Sequence, residues 1–370
     1  MLIPKTMRAL VYRGINHLRI ETVPVPSIRS NELLVKVAVC GVCPTDIKKI
    51  QYGTVTPPRI FGHETAGTIV RLGARVKNFR VGDRVGLHHH VPCLQCHVCR
   101  HGTFAQCETY QRTGITAGFE PAGGGYAEYV RVMPFVFPGI VKIPSRNSFI
   151  EGAMLEPVNT VLKAIKRLNL LRGDDVLVAG QGPIGLIFTR LLALRGINVI
   201  ASDLLQPRLN LARRFGAALA LNAAQARFDQ RIQKSTQKKL LDAAIIAVPS
   251  DETVLRAERL VRGGGQILLF AHTRRGSSLG IDPSTICVDE KDFIGSYSSD
   301  VTLQPEVARL IFSRKLDVRL LVTHEFSLHD AAKAIQLAAQ PTPNSLKIVV
   351  GAAASVLSPR REAIPRGIGH

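Results

Sequence analysis

Val176-Leu177-Val178-Ala179-Gly180-Gln181-Gly182-Pro183-Ile184-Gly185 is a short apolar run closed by a glycine-rich turn, and an apolar, helix-like run follows to Leu194. Val199-Ile200-Ala201-Ser202 then reads as a second strand with Asp203 at its end. A lone G-x-G-x-x-G carries little weight. Following a strand, opening a helix and trailed by an acidic residue about twenty positions on, it becomes a dinucleotide-binding fingerprint. Gly180 and Gly182 permit the tight turn and the close approach of a pyrophosphate, and Gly185 lets the helix pack on the strand. The pyrophosphate would rest on amides at the helix N-terminus, where Pro183 and Ile184 stand. Asp203 can accept hydrogen bonds from both adenosine-ribose hydroxyls and would repel a 2′-phosphate, so NAD is expected rather than NADP. Arg208 is the counterweight, because a nearby arginine can tolerate that phosphate.

Downstream the alternation continues. Leu209 to Phe215 reads as helix, Ala218–Leu221 and Ala243–Val248 as strands, Val254 to Val261 as helix and Gln266–Phe270 as strand. Such alternation predicts an α/β fold with a doubly wound parallel sheet. Upstream the pattern differs. Leu18–Glu21, Leu33–Val39, Thr68–Val70 and Arg84–Leu87 are short β-like runs broken by Pro24, Pro26, Gly73 and Gly82, which predicts a compact, mostly β domain. Val301 to Ser313 and His329 to Ala339 read as helices and Leu346 to Val350 as a closing strand. From residue 352 the chain is small, proline-containing and basic, a composition expected of a disordered tail.

At 370 residues the chain exceeds the ~250–300 at which a single core stops growing, so two domains are the default. Hydrophobic residues make up 46% of it, enough for substantial cores. No apolar run reaches the roughly 18–20 residues that span a bilayer, and Met1–Lys5 has no signal-peptide core, so a cytoplasmic protein without a membrane partner is expected. The net charge of +20 admits a nucleic-acid surface, an anionic substrate or a solvated basic face. Its cations are scattered or in short clusters, such as Lys163/Lys166/Arg167 and Lys234/Lys238/Lys239, and there is no tryptophan. Base-stacking platforms are therefore not expected, nor is nucleic acid as a partner.

The seven cysteines sort by metal chemistry rather than into disulfides. Cys93, Cys96, Cys99 and Cys107 have the spacing that closes a tetrahedral zinc with no open position, a structural site. Cys43, His63 and Glu64 offer a thiol, an imidazole and a carboxylate within about twenty residues, a set that can hold zinc and leave a position for substrate. Cys40 and Cys287 are left over and expected as packed thiols. His88-His89-His90 cannot all face one ion in an extended chain and is expected at a loop or strand surface. His97 and His101 are read as incidental. An open zinc beside a hydride acceptor suits the oxidation of an alcohol or its reverse.

Gly62-His63-Glu64-x-x-Gly67-x5-Gly73-x-x-Val76, with Gly41-Val42-Cys43 before it, resembles the zinc signature of the medium-chain alcohol dehydrogenases. The resemblance runs from about residue 7 to about residue 350 and is nearest the polyol (sorbitol-like) and threonine dehydrogenase branch. It implies a GroES-like catalytic domain over residues 1–157, a Rossmann NAD-binding domain over 158–294, a return to the catalytic domain over 295–351 and the tail over 352–370. It also implies two zinc ions and one NAD per chain, a homodimer or homotetramer, and a small-molecule secondary alcohol as substrate: a polyol, a cyclitol or an amino-sugar-like compound.

Residue by residue, the resemblance makes Glu156, in Leu155-Glu156-Pro157-Val158, a second carboxylate near the catalytic zinc, sharing or exchanging the role with Glu64. It gives Thr45 the task of hydrogen-bonding the reacting oxygen and passing its proton on. It sets Arg208 over the adenine ribose, and Ala271, His272 and Tyr297 complete the expected cofactor contacts. The chain departs from relatives at Lys48, where a histidine usually continues the proton relay, at Lys163, and at Ile294–Tyr297, where sorbitol dehydrogenases carry a substrate-binding arginine. L-Threonine 3-dehydrogenase is the alternative within enzymes, and zinc-free quinone reduction would leave the ligand set unused. A dinucleotide- or nucleic-acid-binding regulator is the alternative outside them, and a retired enzyme has no reason to keep an open zinc site.

Overall fold

The computed structural model describes residues 2–88, 91–113, 124–271, 276 and 278–351. The expected tail, His89, His90 and His272 lie outside them.

The fingerprint region folds as read. Strands β9 (Asp175–Ala179), β10 (Asn198–Asp203), β11 (Leu219–Asn222), β12 (Leu241–Ile246), β13 (Val261–Leu269) and β14 (Asp292–Gly295) form one sheet in the order β11-β10-β9-β12-β13-β14. Every pairing in it is parallel. That order reverses direction between β9 and β12, the switch point where α/β sheets bind nucleotides. The near-continuous Val, Ile, Leu and Ala of β9, β10 and β12 follow from burial on both faces. The first helix, Pro183–Ala193, starts on Gly182 with proline in its first turn, where the missing N–H costs nothing. A Cβ on Gly185 would meet the Gly180 carbonyl oxygen at 1.8 Å, so the helix can lie on β9 only with glycine there.

The N-terminal part is antiparallel and returns at the end of the chain. A three-stranded sheet joins β2 (His17–Pro24), β1 (Thr6–Gly14) and β4 (Arg59–Ile60). A seven-stranded sheet takes β3 (Leu33–Gly41), β5 (Glu64–Leu72), β6 (Arg84–Leu87), β7 (Tyr129–Val132) and β8 (Ile140–Lys142), and adds β15 (Val322–Ser327) and β16 (Lys347–Gly351) beside β3. Because β3 runs antiparallel to both β5 and β16, Gly41 at its end faces Glu64 at the start of β5 and Val349 in the middle of β16. One end of this sheet thus gathers residues from three distant parts of the sequence.

Element identities agree with the sequence reading, and boundaries move by a few residues. The helix read from Val254 begins at Asp251, where the Ser250 side chain accepts from the Thr253 amide. The helix read from Val301 opens as a 3-10 turn over Val301–Leu303 and becomes α-helical only at Gln304. Phe228–Ser235 is a helix that the pattern did not reveal. Two expectations are corrected. His88 is fully buried and its Nε2 lies 2.8 Å from Ser299 Oγ, so it is not a surface residue but ties β6 to the segment after β14. Cys287 is exposed, because it ends a short helix, Pro283–Cys287, that buries only Thr285. Cys40 is a packed thiol as expected, and burial pushes it up to about 12.

Candidate active site

Cys43, His63 and Glu64 come together at the gathered end of the seven-stranded sheet. Cys43 precedes the helix Pro44–Tyr52, and Glu64 is the first residue of β5. Their ligand atoms all lie within 4.8 Å of one another. The surroundings order these groups. His63 Nδ1 is 3.0 Å from Asp46 Oδ1, and a carboxylate only accepts, so Nδ1 carries a proton and Nε2 is the nitrogen that can exchange its own proton for a metal. Asp46 is itself fully buried and takes a second hydrogen bond, 3.2 Å, from the Tyr126 hydroxyl. Burial alone would lower the His63 imidazole, but the Asp46 carboxylate and the Cys43 sulfur outweigh it and hold it well above its ordinary value.

Glu64 faces the ammonium of Lys347, which is buried, contacts the carboxylate directly and donates to the Val42 carbonyl oxygen at 2.9 Å. Burial pushes the Glu64 carboxyl up while Lys347 pulls it down. Burial likewise lowers Lys347, and Glu64, with Cys43 and Glu156, more than reverses this, so the ammonium keeps its charge. Gly41 makes the pair possible: a Cβ there would sit 1.9 Å from Glu64 Oε2 and 2.9 Å from Lys347 Cε. A thiol, an imidazole nitrogen and a carboxylate converging in a buried pocket are a donor set that fits zinc. Glu156, on the helix Leu155–Ile165, lines the same cleft and its charge is felt by Glu64. It stands outside the 4.8 Å group, so the structure brings Glu64 and not Glu156 to the other two donors.

The cleft holds about 420 Å³. Thr45, Lys48 and Tyr110 line it, opposite Gly182, Pro183, Ile184, Arg208, Ala271 and Tyr297 from the nucleotide-binding side. Gly180 and Gly185 shape the turn from behind. Asp203 ends β10 with its two oxygens accepting from the amides of Gln181 (2.7 Å) and Leu205 (2.9 Å). This fixes the carboxylate and leaves lone pairs for a ribose. Arg208 Nη1 lies 3.8 Å from Asp203 Oδ2, and Nη2 donates to Ser345 O at 3.3 Å, across the cleft.

The four-cysteine lobe is the second donor group, all within 4.8 Å. Cys96 Sγ and Cys99 Sγ are 3.4 Å apart, and the Cys96 and Cys93 amides donate to Cys93 Sγ and Cys107 Sγ, each at 3.4 Å. Amides of Gln95 and Cys96 hold Cys93 below the ordinary thiol value, while burial and the neighbouring sulfurs push Cys99 up to about 12. Four sulfurs so close cannot all ionise without a cation, and with one they make a closed tetrahedral set. The lobe also reaches the cleft: Tyr110, three residues after Cys107, is buried with its hydroxyl against Ser298 Oγ.

Asp46, Tyr126, Lys347 and Tyr110 are the site residues that sequence reasoning missed. A lysine at the head of the apolar run Ile348-Val349-Val350 was the signal for Lys347, since a charge there needs a partner. Tyr126 gives no signal, because only the fold brings it to Asp46.

The family model for the alcohol dehydrogenase GroES-like domain matches residues 29–145, and that for zinc-binding dehydrogenases matches residues 183–313. Among curated proteins, D-arabinitol dehydrogenase 1 of Uromyces fabae is 30% identical over 355 residues, covering 94% of this chain and 98% of its own. Sorbitol dehydrogenase of Bacillus subtilis is 29% identical with the same coverage. Among solved structures, a protein of Sinorhizobium meliloti 1021 assigned as a zinc-binding dehydrogenase and bound to NADP superimposes with a TM-score of 0.85 at 25% identity, covering 94% of this chain and 100% of that one. With the glycine turn, the switch-point sheet and the buried thiol–imidazole–carboxylate cluster in one molecule, the chain belongs to the zinc-dependent medium-chain polyol dehydrogenase family.

Proposed function

We propose that this enzyme oxidises a secondary alcohol of the polyol class, a cyclitol and an amino-sugar-like alcohol being variants of the same chemistry, with NAD as hydride acceptor. The observation that carries the reading is the convergence of the Cys43/His63/Glu64 donor set and the nucleotide-binding turn on one cleft. The sorbitol and D-arabinitol dehydrogenase relatives support the polyol class, and Asp203 supports NAD over NADP.

Zinc, when bound by Cys43, His63 and Glu64, supplies Lewis acidity, and NAD accepts the hydride. The chain's own groups do the rest. Asp46 keeps the Nδ1 proton of His63 in place, so that Nε2 is the nitrogen offered to the metal. Lys347 balances the Glu64 carboxylate, and Glu156 adds a second negative charge to the pocket. Thr45 takes the proton of the alcohol and passes it to water or a ribose hydroxyl. Lys48 neutralises a cofactor phosphate or faces solvent, and does not serve as the base for the proton. Cys93, Cys96, Cys99 and Cys107 hold a second, structural zinc. The assembly is proposed as a cytoplasmic homodimer or homotetramer, which cell fractionation and light scattering test.

A screen of polyols, cyclitols, amino alcohols and L-threonine, following NADH formation, tests the reading. We expect polyols to give the highest kcat/KM. L-Threonine outrunning every polyol would overturn the substrate class. Asp203→Ser should weaken NAD binding by about 1–3 kcal/mol, the loss of hydrogen bonds to a charged group. NADP turnover exceeding that of NAD in the unaltered enzyme would refute the role given to Asp203.

A further inference from the structure

We propose that the substrate carries an anionic group, a phosphate monoester or a carboxylate, at the end remote from the reacting carbon, and that a basic cavity beside the catalytic cleft receives it. This rests on the reading above and narrows its substrate class.

The cavity holds about 1050 Å³ and shares Tyr110, Phe270, Ala271, Ser296 and Tyr297 with the catalytic cleft. The two volumes are neighbours separated by that common wall, which an extended substrate with its carbinol in one has to pass to reach the other. Lys49, Lys163, Lys166 and Arg167 line the cavity, with His101, against a single carboxylate, Asp300. That carboxylate is turned to Thr302, accepting from its amide at 2.8 Å and its hydroxyl at 2.6 Å.

The cations are not explained by local structure alone. Lys163, Lys166 and Arg167 close the helix Leu155–Ile165, where positive charge complements the helix dipole. Lys49 lies in the last turn of the helix Pro44–Tyr52 and His101 caps the short helix His97–Arg100 of the cysteine lobe, so each cation suits its own helix end, and that local reason does not explain why three such ends meet at one cavity. Their charges are balanced only in part, with Asp300 acting on Lys163 and Asp46 on Lys49. Lys163 Nζ donates to the Tyr297 carbonyl at 2.8 Å and the Arg167 guanidinium to that of Gly295, both neutral acceptors. Lys166 pairs with Glu306 at 2.8 Å on the exposed rim. Lys49 has no ion pair among the described residues. Burial lowers both Lys49 and Lys163, a cost that an arriving anion would offset. The phosphate turn Gly182, Pro183 and Ile184 lines the first cavity and not the second, whereas the expected cofactor contacts Ala271 and Tyr297 line both.

The test uses the full-length zinc-loaded enzyme and three ligands: a hexitol, its terminal phosphate monoester and the corresponding aldonate. Kd is measured by calorimetry with NADH bound, and kcat/KM with NAD. The comparison is Lys49→Gln/Lys166→Gln, two residues that do not line the catalytic cleft, with the single Lys166→Gln in reserve should the double variant fold poorly. We expect an anionic ligand to bind about 10-fold or more tightly than the hexitol. That advantage should fall by a similar factor in the variant, with the values for the hexitol and for NADH unchanged. Whichever of ester and aldonate shows the larger advantage names the anion. Equal binding of all three, or an advantage that survives in the variant, overturns the proposal. Oxidation of the hexitol with no anionic preference leaves the polyol reading standing and removes this one. Absence of any turnover with the binding contrast intact removes the polyol reading and leaves the anion site.

Discussion

The two thiol-bearing sites are built in opposite ways. Cys93, Cys96, Cys99 and Cys107 meet within one short lobe, closed by amide–sulfur hydrogen bonds between near neighbours. Cys43, His63 and Glu64 meet because strand ends bring them together, and their orienting groups come from far away: Tyr126 is 80 positions from Asp46 and Lys347 is 305 from Val42. The local site has donors on every side and no open position, which suits it to hold structure. The assembled site is buried yet lines a cleft, which suits it to chemistry. The separation is incomplete, because Tyr110 carries the wall of the lobe into that cleft.

Four substitutions sharpen or break this contrast. The largest effect is expected from Cys43→Ser, which removes a donor from the assembled site. Turnover should fall by a factor of about 10³, equivalent to about 4 kcal/mol. Its Tm should stay near that of the parent by calorimetry, and retained activity at parental zinc content would show that the site is not the reaction centre. Cys96→Ser should do the reverse. It should destabilise the fold by ~3 kcal/mol, a Tm drop of roughly 5–10 °C, and lose one zinc by metal analysis. An unchanged Tm would mean that the lobe is held by its hydrogen bonds and not by metal.

Asp46→Asn tests the orienting shell. Removing the carboxylate from His63 should cost 10–100-fold, roughly, in zinc affinity or kcat, read by metal titration and steady-state kinetics. An effect on Tm alone would make Asp46 a packing residue. The smallest change is expected from Tyr110→Phe, which deletes the hydroxyl at Ser298. A loss of about 1 kcal/mol, seen as a higher KM at constant kcat, fits a cleft wall supplied by the lobe. If KM does not move while Tm falls, the hydroxyl serves only to dock the lobe.

Much of the molecule was legible in the chain because its signals are local. The glycine turn, the acidic residue at the end of the next strand and the four closely spaced cysteines each act through geometry set within a few residues. Even the donor set of the second site could be named, since Cys43, His63 and Glu64 sit close together in sequence. The misread residues are those whose setting is decided elsewhere. His88 stands in a polar triplet that suggests surface, and Ser299, 211 positions away, makes it core. Cys287 was expected to pack, and its short helix leaves it in solvent.

The sequence by itself determined the parallel sheet and the nucleotide-binding turn, and it named two groups of side chains that the fold brings together, because backbone conformation and ligand chemistry follow from residue type and short spacing. Only the tertiary structure puts the Glu64 carboxylate within 4.8 Å of the Cys43 and His63 ligand atoms, and places Asp46, Tyr126 and Lys347 around them. It alone also brought basic residues from three separate elements to one cavity beside the cleft. The reason is physical: a buried charge persists only where the fold supplies its partner, and the pairing of β3 with β5 and β16, not any spacing along the chain, sets which side chains meet.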